Sequence, residues 1–213
     1  MSPILFDTVI MRLPSFGTPH LSALLASNPG LPIHFHDCPE SSDPLLWRNG
    51  DRNIRDFWKL CSNATTSDWI IFLEADVYCN TSLADAIRIP TIGTGLAASR
   101  IFHCGRDRRA FLPFAEIPRL PRDMQAIAAG LMPLGVVLIH RHALDSLCDP
   151  SLDAVFASDI FSELRLPTVI QSLGYSLASL NLPFCDTIPK SPGLLPGIYH
   201  PVKSSVPSVP SVP

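Results

Sequence analysis

The segment Trp69-Ile-Ile-Phe-Leu-Glu-Ala-Asp76 constrains the fold of this chain more than any other. Four consecutive apolar residues, Ile70, Ile71, Phe72 and Leu73, cannot alternate between a core face and a solvent face. They predict a strand buried on both sides, as in sheets covered by helices on each face. Glu74 and Asp76 follow at i and i+2, which in extended chain puts both carboxylates on one side, ~7 Å apart. A slight bend at the strand end brings both within reach of one hard divalent cation and its waters. Open α/β sheets place their ligands at the carboxyl ends of strands, so a metal held there could in turn hold a diphosphate.

The 213 residues suffice for one α/β domain with a sizeable core, and a composition 46% hydrophobic and 16% charged predicts that most of the chain folds. A net charge of −3 gives no electrostatic case for nucleic acid or an anionic membrane. The uninterrupted apolar runs fall far short of a membrane span, so no transmembrane segment is expected. The opening Met1-Ser-Pro-Ile-Leu-Phe-Asp7 has neither a basic flank nor a long apolar core, so no signal peptide is expected. Cys38, Cys61, Cys79, Cys104, Cys148 and Cys185 form no Cys-x-x-Cys pair, which argues against structural zinc. They read as reduced thiols of a cytoplasmic protein, and the sequons at Asn63 and Asn80 then read as chance matches. Part of the proline excess, 22 residues, lies in the repeat Ser205-Val-Pro-Ser-Val-Pro-Ser-Val-Pro213. That repeat suits extended chain and has too little apolar surface to pack. The expected organisation is a folded domain over 1–203 and a disordered tail over 204–213.

Along the chain, Ile4 to Met11 predicts a first strand. Thr18 to Ser27 predicts a short helix capped by Thr18 with Pro19 at its first position. Pro32 to His36 predicts a second strand ending at Asp37, followed by a polar loop over 40–44. Trp47 to Cys61 predicts a helix with Ile54, Phe57, Trp58 and Cys61 on one face. After the acidic strand come a helical turn at Leu83 to Ile87, a strand at Gly95 to Phe102, and a basic, loop-like stretch from His103 to Arg122. A strand at Leu134 to His140, a short helix at Ala143 to Leu147 and a helix from Asp159 to Leu173, kinked by Pro167, complete the pattern. The β-α-β-α-β order of the first half implies a parallel sheet with right-handed crossovers.

Several further residue groups could carry chemistry. Arg48, Arg52 and Arg55 recur at helical spacing and share a face. They could meet a nucleotide's phosphates or orient the acidic pair; taken alone, they also suit a solvated face paired with Asp51 and Asp56. Asp37 at a strand end could accept hydrogen bonds from a ribose or a base, or cap a turn. Glu163, with Asp159 four residues earlier, could act as general base toward an acceptor hydroxyl, or form a surface pair with Arg165. His200, in Tyr199-His-Pro201, could complete a mixed oxygen and nitrogen shell suited to Mn²⁺ or Mg²⁺, and Lys203 could meet a phosphate. The sequence holds no Gly-x-Gly-x-x-Gly, P-loop or Gly-x-Ser-x-Gly elbow, which removes the usual dinucleotide, ATPase and serine-hydrolase readings.

In this order the groups resemble a GT-A glycosyltransferase. Glu74-Ala75-Asp76 is similar to that superfamily's Asp-x-Asp motif. Gly130-Leu-Met-Pro-Leu-Gly-Val-Val-Leu-Ile-His-Arg141 resembles its Gly-rich strand. Phe161-Ser-Glu-Leu164 with Leu173-Gly-Tyr175 resembles the Glu-Asp helix, although Ser-Glu-Leu stands where the family often has Glu-Asp. Tyr199-His-Pro201 looks like the C-terminal metal-binding histidine. The resemblance covers residues 4 to 203 with short motifs. It implies a single Rossmann-like GT-A domain of the α/β class, with a mixed, mainly parallel sheet flanked by helices. It further implies transfer of a sugar from a UDP- or GDP-linked donor to a saccharide or other hydroxyl acceptor. Glu74, Asp76 and His200 would hold Mn²⁺ or Mg²⁺. Asp37, Arg52, Arg55 and Lys203 would bind the nucleotide, and Glu163 or Asp159 would act as base. The rival readings are a nucleotidyltransferase acting on a sugar phosphate and a catalytically inactive GT-A-like binding protein.

Overall fold

The computed structural model describes residues 6–39, 49–103, 114–128, 130–185 and 195–201. Arg48, Arg106, Arg108, Arg109, Lys203, the loop over 40–44 and the 204–213 tail lie outside the described residues.

In chain order the elements are β1 (Asp7–Arg12), α1 (Leu21–Ser27), β2 (Ile33–Asp37), α2 (Gly50–Cys61), β3 (Trp69–Glu74) and β4 (Tyr78–Cys79). Then follow α3 (Leu83–Ala86), β5 (Thr94–Ala98), β6 (Phe102–His103), α4 (Arg122–Gln125), β7 (Gly130–Leu131) and β8 (Val136–His140). The chain continues with α5 (Arg141–Leu147), α6 (Asp153–Ala157), α7 (Ser162–Ser172), β9 (Ser176–Ser179) and β10 (Ile198–Tyr199).

The central sheet has six strands in the order β2-β1-β3-β8-β5-β9. β1 pairs in parallel with both β2 and β3, and β5 in parallel with β9. β8 runs antiparallel to both β3 and β5. Five strands therefore run one way and present their carboxyl ends along a single edge, with β8 entering from that edge. This is the mixed, mainly parallel sheet expected. The expected strand over Gly95 to Phe102 ends at Ala98 instead, and Phe102–His103 belongs to a separate pair with β7.

The acidic strand sits where its composition demands. Ile70, Ile71, Phe72 and Leu73 are all buried, and they feed two cores on opposite faces of the sheet. Ile70 and Phe72 pack with Ile54, Phe57, Leu164 and Ile170 from α2 and α7. Ile71 and Leu73 pack with Leu24 and Leu83 from α1 and α3. Each such burial contributes roughly 1.5–3 kcal/mol, so the run is held from both faces of the sheet.

α7 begins at Ser162 rather than Asp159 and continues through Pro167 to Ser172. Pro167 has no N–H for the Glu163 carbonyl four residues back. The Met132 N–H donates to that carbonyl at 2.9 Å instead, so the proline ties α7 to the β7–β8 connection rather than breaking the helix. Among the described residues, no helix is long and apolar enough to cross a membrane.

Candidate metal and nucleotide site

Three segments bring side chains together at the edge where β3 ends. The strand stops at Glu74, and the Val77 N–H donates to the Glu74 carbonyl at 3.0 Å. That turn swings Asp76 back beside Glu74, the bend that the i, i+2 spacing requires. The chain then forms β4, which pairs antiparallel with β10 in the register Tyr78 to Tyr199 and Cys79 to Ile198. The pairing delivers His200 next to the turn. His200 Nε2 lies 3.0 Å from Glu74 Oε2 and 3.3 Å from Asp76 Oδ1. One donor atom from each of the three residues lies within 4.8 Å of the others.

Two features hold the imidazole in this position. A Cβ built on Gly135 would meet the His200 ring at 2.2 Å, so only glycine lets the ring lie against the start of β8. The Gly135 carbonyl also accepts the Glu74 N–H at 3.0 Å, which fixes the strand end to the same backbone. Asn80 secures the other side. Its side chain donates to the Leu195 carbonyl at 3.2 Å and accepts the Gly197 N–H at 2.8 Å, clamping the turn that leads into β10. Asn80 heads a glycosylation-type sequon, but its amide is committed to this backbone clamp. Phe184 stacks on Tyr199 with centroids 4.6 Å apart, and Tyr199 meets Tyr78 edge-on at 6.0 Å.

Burial opposes a charge on His200. The hydrogen bonds of Asp76 and Glu74 and their negative charges outweigh it and push the imidazole up to about 10. The same three donor atoms suit a hard or borderline dication, which would take the place of that proton. His200 is 13% exposed at the side chain, against 40% for Glu74 and 22% for Asp76, so the carboxylates open outward while the ring stays covered. His200 Nδ1 is buried without a hydrogen-bond partner. The three side chains together could hold a divalent cation.

A cavity of about 340 Å³ opens beside the carboxylates. Its walls come from the ends of β1 and β3 and the first turns of α2. They include Arg12, Phe16, Asn53, Ile54 and Leu134, with Glu74 and Asp76 at one end. The position matches the rule that open α/β sheets bind ligands beyond their strand ends. Arg12 reaches Asp37 through both Nε and Nη2, the latter at 3.2 Å, and its guanidinium lies 4.9 Å from the centre of the Phe35 ring. The Arg12 hydrogen bond holds the Asp37 carboxyl below its usual range. Asp37 thus stands on the cavity rim through Arg12.

Other predicted site residues are placed elsewhere. Arg52 donates to the carbonyls of Phe156 and Ser158 at 2.6 and 2.7 Å. Arg55 donates to the carbonyls of Leu147 and Asp149 and pairs with Asp153 at 2.6 Å. This corrects the expectation that both bind phosphates: their guanidinium groups pin α2 to the segment over 147–158, and Asn53 is the α2 polar side chain in the cavity. Asp159 lies at the surface, 3.8 Å from Arg119, away from the three-residue cluster. Glu163 stands in the first turn of α7 next to Ser162, whose hydroxyl packs at Gly50 on the cavity wall. The structure brings together Glu74, Asp76 and His200; it does not bring Arg52, Arg55 or Asp159 to them.

Sequence reasoning missed Arg12, Asn53, Asn80 and Gly135. Arg12 could have been found by the strand-end rule that singled out Asp37 and Asp76. Gly135 and Asn80 act on partners more than 60 positions away, and their spacing carries no signal of it.

No protein-family profile matches the sequence, and neither does any curated protein. Solved structures similar to this chain include GlyE of Streptococcus pneumoniae, a glycosyltransferase (15% identity, 82% of this chain and 45% of that chain, TM-score 0.47). They also include the mannosyltransferase PcManGT of Pyrobaculum calidifontis with GDP-Man and Mn²⁺ (12%, 82% and 54%, TM-score 0.46). A third is Drosophila β1,4-galactosyltransferase 7 with manganese, UDP-Gal and xylobiose (12%, 92% and 70%, TM-score 0.43). The chain spans about half the length of the first two. At this level of similarity no residue or activity is carried over from them, and the functional reading rests on the site itself.

Proposed function

We propose that this chain is a metal-dependent glycosyltransferase that moves a sugar from a nucleoside-diphosphate donor to a hydroxyl acceptor. The observation that carries the reading is the convergence of Glu74, Asp76 and His200, with both carboxylates lining a strand-end cavity. Two carboxylates and one buried imidazole offer a mixed donor set that would suit a divalent cation able to offset a diphosphate's charge.

Glu74, Asp76 and His200 would hold Mn²⁺ or Mg²⁺. When bound, the ion would supply charge stabilisation to the departing nucleoside diphosphate. The chain's own residues do the remaining work. Ile54, Phe72 and Leu134 give the cavity apolar walls, and Phe16 offers an aromatic face for a base. Arg12 and Asp37 present a paired donor and acceptor at the rim for the nucleoside. Gly135 and Asn80 hold His200 so that its Nε2 faces both carboxylates. Glu163 is assigned the proton of the acceptor hydroxyl, because α7 begins against the cavity wall.

A hydrolysis and transfer screen across UDP- and GDP-linked sugars, with and without a chelator, tests the reading. Mn²⁺-dependent release of nucleoside diphosphate from at least one donor is expected. Release that persists undiminished in chelator, or none from any donor with Mn²⁺ present, would overturn it.

A further inference from the structure

Arg12 lines the strand-end cavity, and its guanidinium is fixed on two sides. Along one edge, Nε donates to Asp37 Oδ1 and Nη2 donates to Asp37 Oδ2, the latter at 3.2 Å. Against one face lies the Phe35 ring, its centre 4.9 Å from the guanidinium carbon. A guanidinium carries five N–H donors in one rigid plane. Asp37 takes the edge formed by Nε and Nη2, which leaves the edge formed by Nη1 and Nη2, with two parallel N–H groups. Among the described residues, the guanidinium has no other hydrogen-bond partner. The cavity wall thus carries a preorganised fork of two donors.

The register shows how far this fork lies from the carboxylates. Met11 pairs with Glu74 across β1 and β3, and Arg12 pairs with Asp37 across β1 and β2. Phe35 and Asp37 both belong to β2, so the Arg12 side chain crosses away from β3. Its guanidinium lies over β2, two strand spacings from the end of β3, or ~10 Å. A diphosphate held by a metal at Glu74 and Asp76 does not span that distance, whereas the nucleoside attached to it does. Phe16 marks the same half of the cavity. The Phe16 and Gly17 N–H groups both donate to the Leu13 carbonyl at 3.0 Å, and Gly17 adopts a φ of 67°. The chain therefore turns back after β1 and sets Phe16 on the cavity wall, with the residue 45% exposed.

Charge also points to a base. Asp37 already balances the charge of Arg12, so the pair offers directed donors with little net charge. That suits the uncharged edge of a base better than a further anion. Among the bases, guanine presents two neighbouring acceptors, O6 and N7, and these match an arginine fork. Adenine carries an amino group in place of O6, which opposes the fork with another donor. Uracil has one acceptor there, O4, beside a C–H.

We propose that Arg12 reads O6 and N7 of guanine, so that the donor is a GDP-linked sugar rather than a UDP-linked one. The proposal rests on the glycosyltransferase reading and names the nucleotide of that same site. It is tested by calorimetric titration of the full chain, with Mn²⁺ present, using GDP, UDP, ADP, IDP and 7-deaza-GDP. GDP should bind about tenfold to a hundredfold more tightly than UDP or ADP, the discrimination of one bidentate base contact. IDP keeps O6 and N7 and lacks only the 2-amino group, so it should bind close to GDP. 7-Deaza-GDP lacks the N7 acceptor and should bind about tenfold more weakly than GDP.

Arg12→Gln should bring the affinity for GDP down to that for UDP. Arg12→Lys keeps the charge beside Asp37 but not the fork, and should lose most of the preference. The nucleotide series on the wild-type chain carries the test even where a variant does not fold. Equal affinity for GDP and UDP, 7-deaza-GDP as tight as GDP, IDP as weak as UDP, or a preference intact in Arg12→Gln would each overturn the proposal and leave the glycosyltransferase reading in place. Failure of every nucleoside diphosphate to bind with Mn²⁺ would overturn that reading and the proposal with it.

Discussion

Two clusters of charged side chains hold opposite positions in this molecule. Between α2 and α7, Asp51 and Arg165 form a fully buried bidentate pair, with both contacts at 2.6 Å. Arg165 also donates to the Ser158 carbonyl, which Arg52 shares. Burial pushes the Asp51 carboxyl up, against the pull of Arg165. Arg52, Arg55 and Arg165 are all directed at carbonyls or carboxylates of the fold. The cluster at the end of β3 is different. Glu74 and Asp76 are partly exposed and line a cavity, with His200 Nε2 behind them. Charges closed on every side hold helices together, whereas charges left open toward a cavity are available for a ligand.

The comparison breaks first at the buried pair. Asp51→Ala or Arg165→Met leaves one buried charge alone and should cost about 3–5 kcal/mol. Thermal denaturation should show the midpoint falling by about 6–20 °C. Replacing both residues by apolar ones should recover much of that loss; a double variant as unstable as the worse single one would contradict a closed pair. At the open cluster the effect should move from stability to binding. Gly135→Ala places a methyl group against the His200 ring, and should weaken Mn²⁺ affinity by about 10–100-fold, read by titration calorimetry. Unchanged affinity would mean that His200 is no ligand.

Asn80→Ala removes two hydrogen bonds from the turn before β10 and should cost about 1–2 kcal/mol in denaturant unfolding. A loss that leaves Mn²⁺ affinity untouched would separate the clamp from the site. The smallest effect concerns Asp7, on the opposite edge of the sheet. Burial raises its pKa, but the N–H groups of Ser67 and Thr66, with His34, more than offset this and leave it below 3.8. A lowered carboxylate stabilises the fold above its unfolded value, and that contribution is lost as pH falls through the lowered folded value. Asp7→Asn should therefore flatten the dependence of stability on pH below about 4. An unchanged slope would exclude Asp7 as its source.

Local pattern revealed the sheet and the acids. The apolar run from Ile70 to Leu73 admits one environment, and the two carboxylates behind it inherit a strand-end position. The same pattern misassigned the arginines. Helical spacing says that Arg52 and Arg55 share a face but not which face meets solvent, and their partners at 147–158 lie about a hundred residues on. The helix is not divided at Pro167: it continues to Ser172, and Met132, distant in sequence, supplies the donor that the Glu163 carbonyl loses. His200 was legible as a candidate ligand by residue type, but its meeting with Asp76 was legible only through resemblance, since the β4–β10 pairing that joins them involves two residues on each side.

The most direct test is a titration of Mn²⁺ with UDP or GDP into the wild-type chain and into Asp76→Ala. A metal-dependent nucleotide site in the wild type, lost in a variant that melts at the same temperature, is the predicted result. Undiminished nucleotide affinity with Mn²⁺ in Asp76→Ala would contradict the assignment of the β3 end as the metal site.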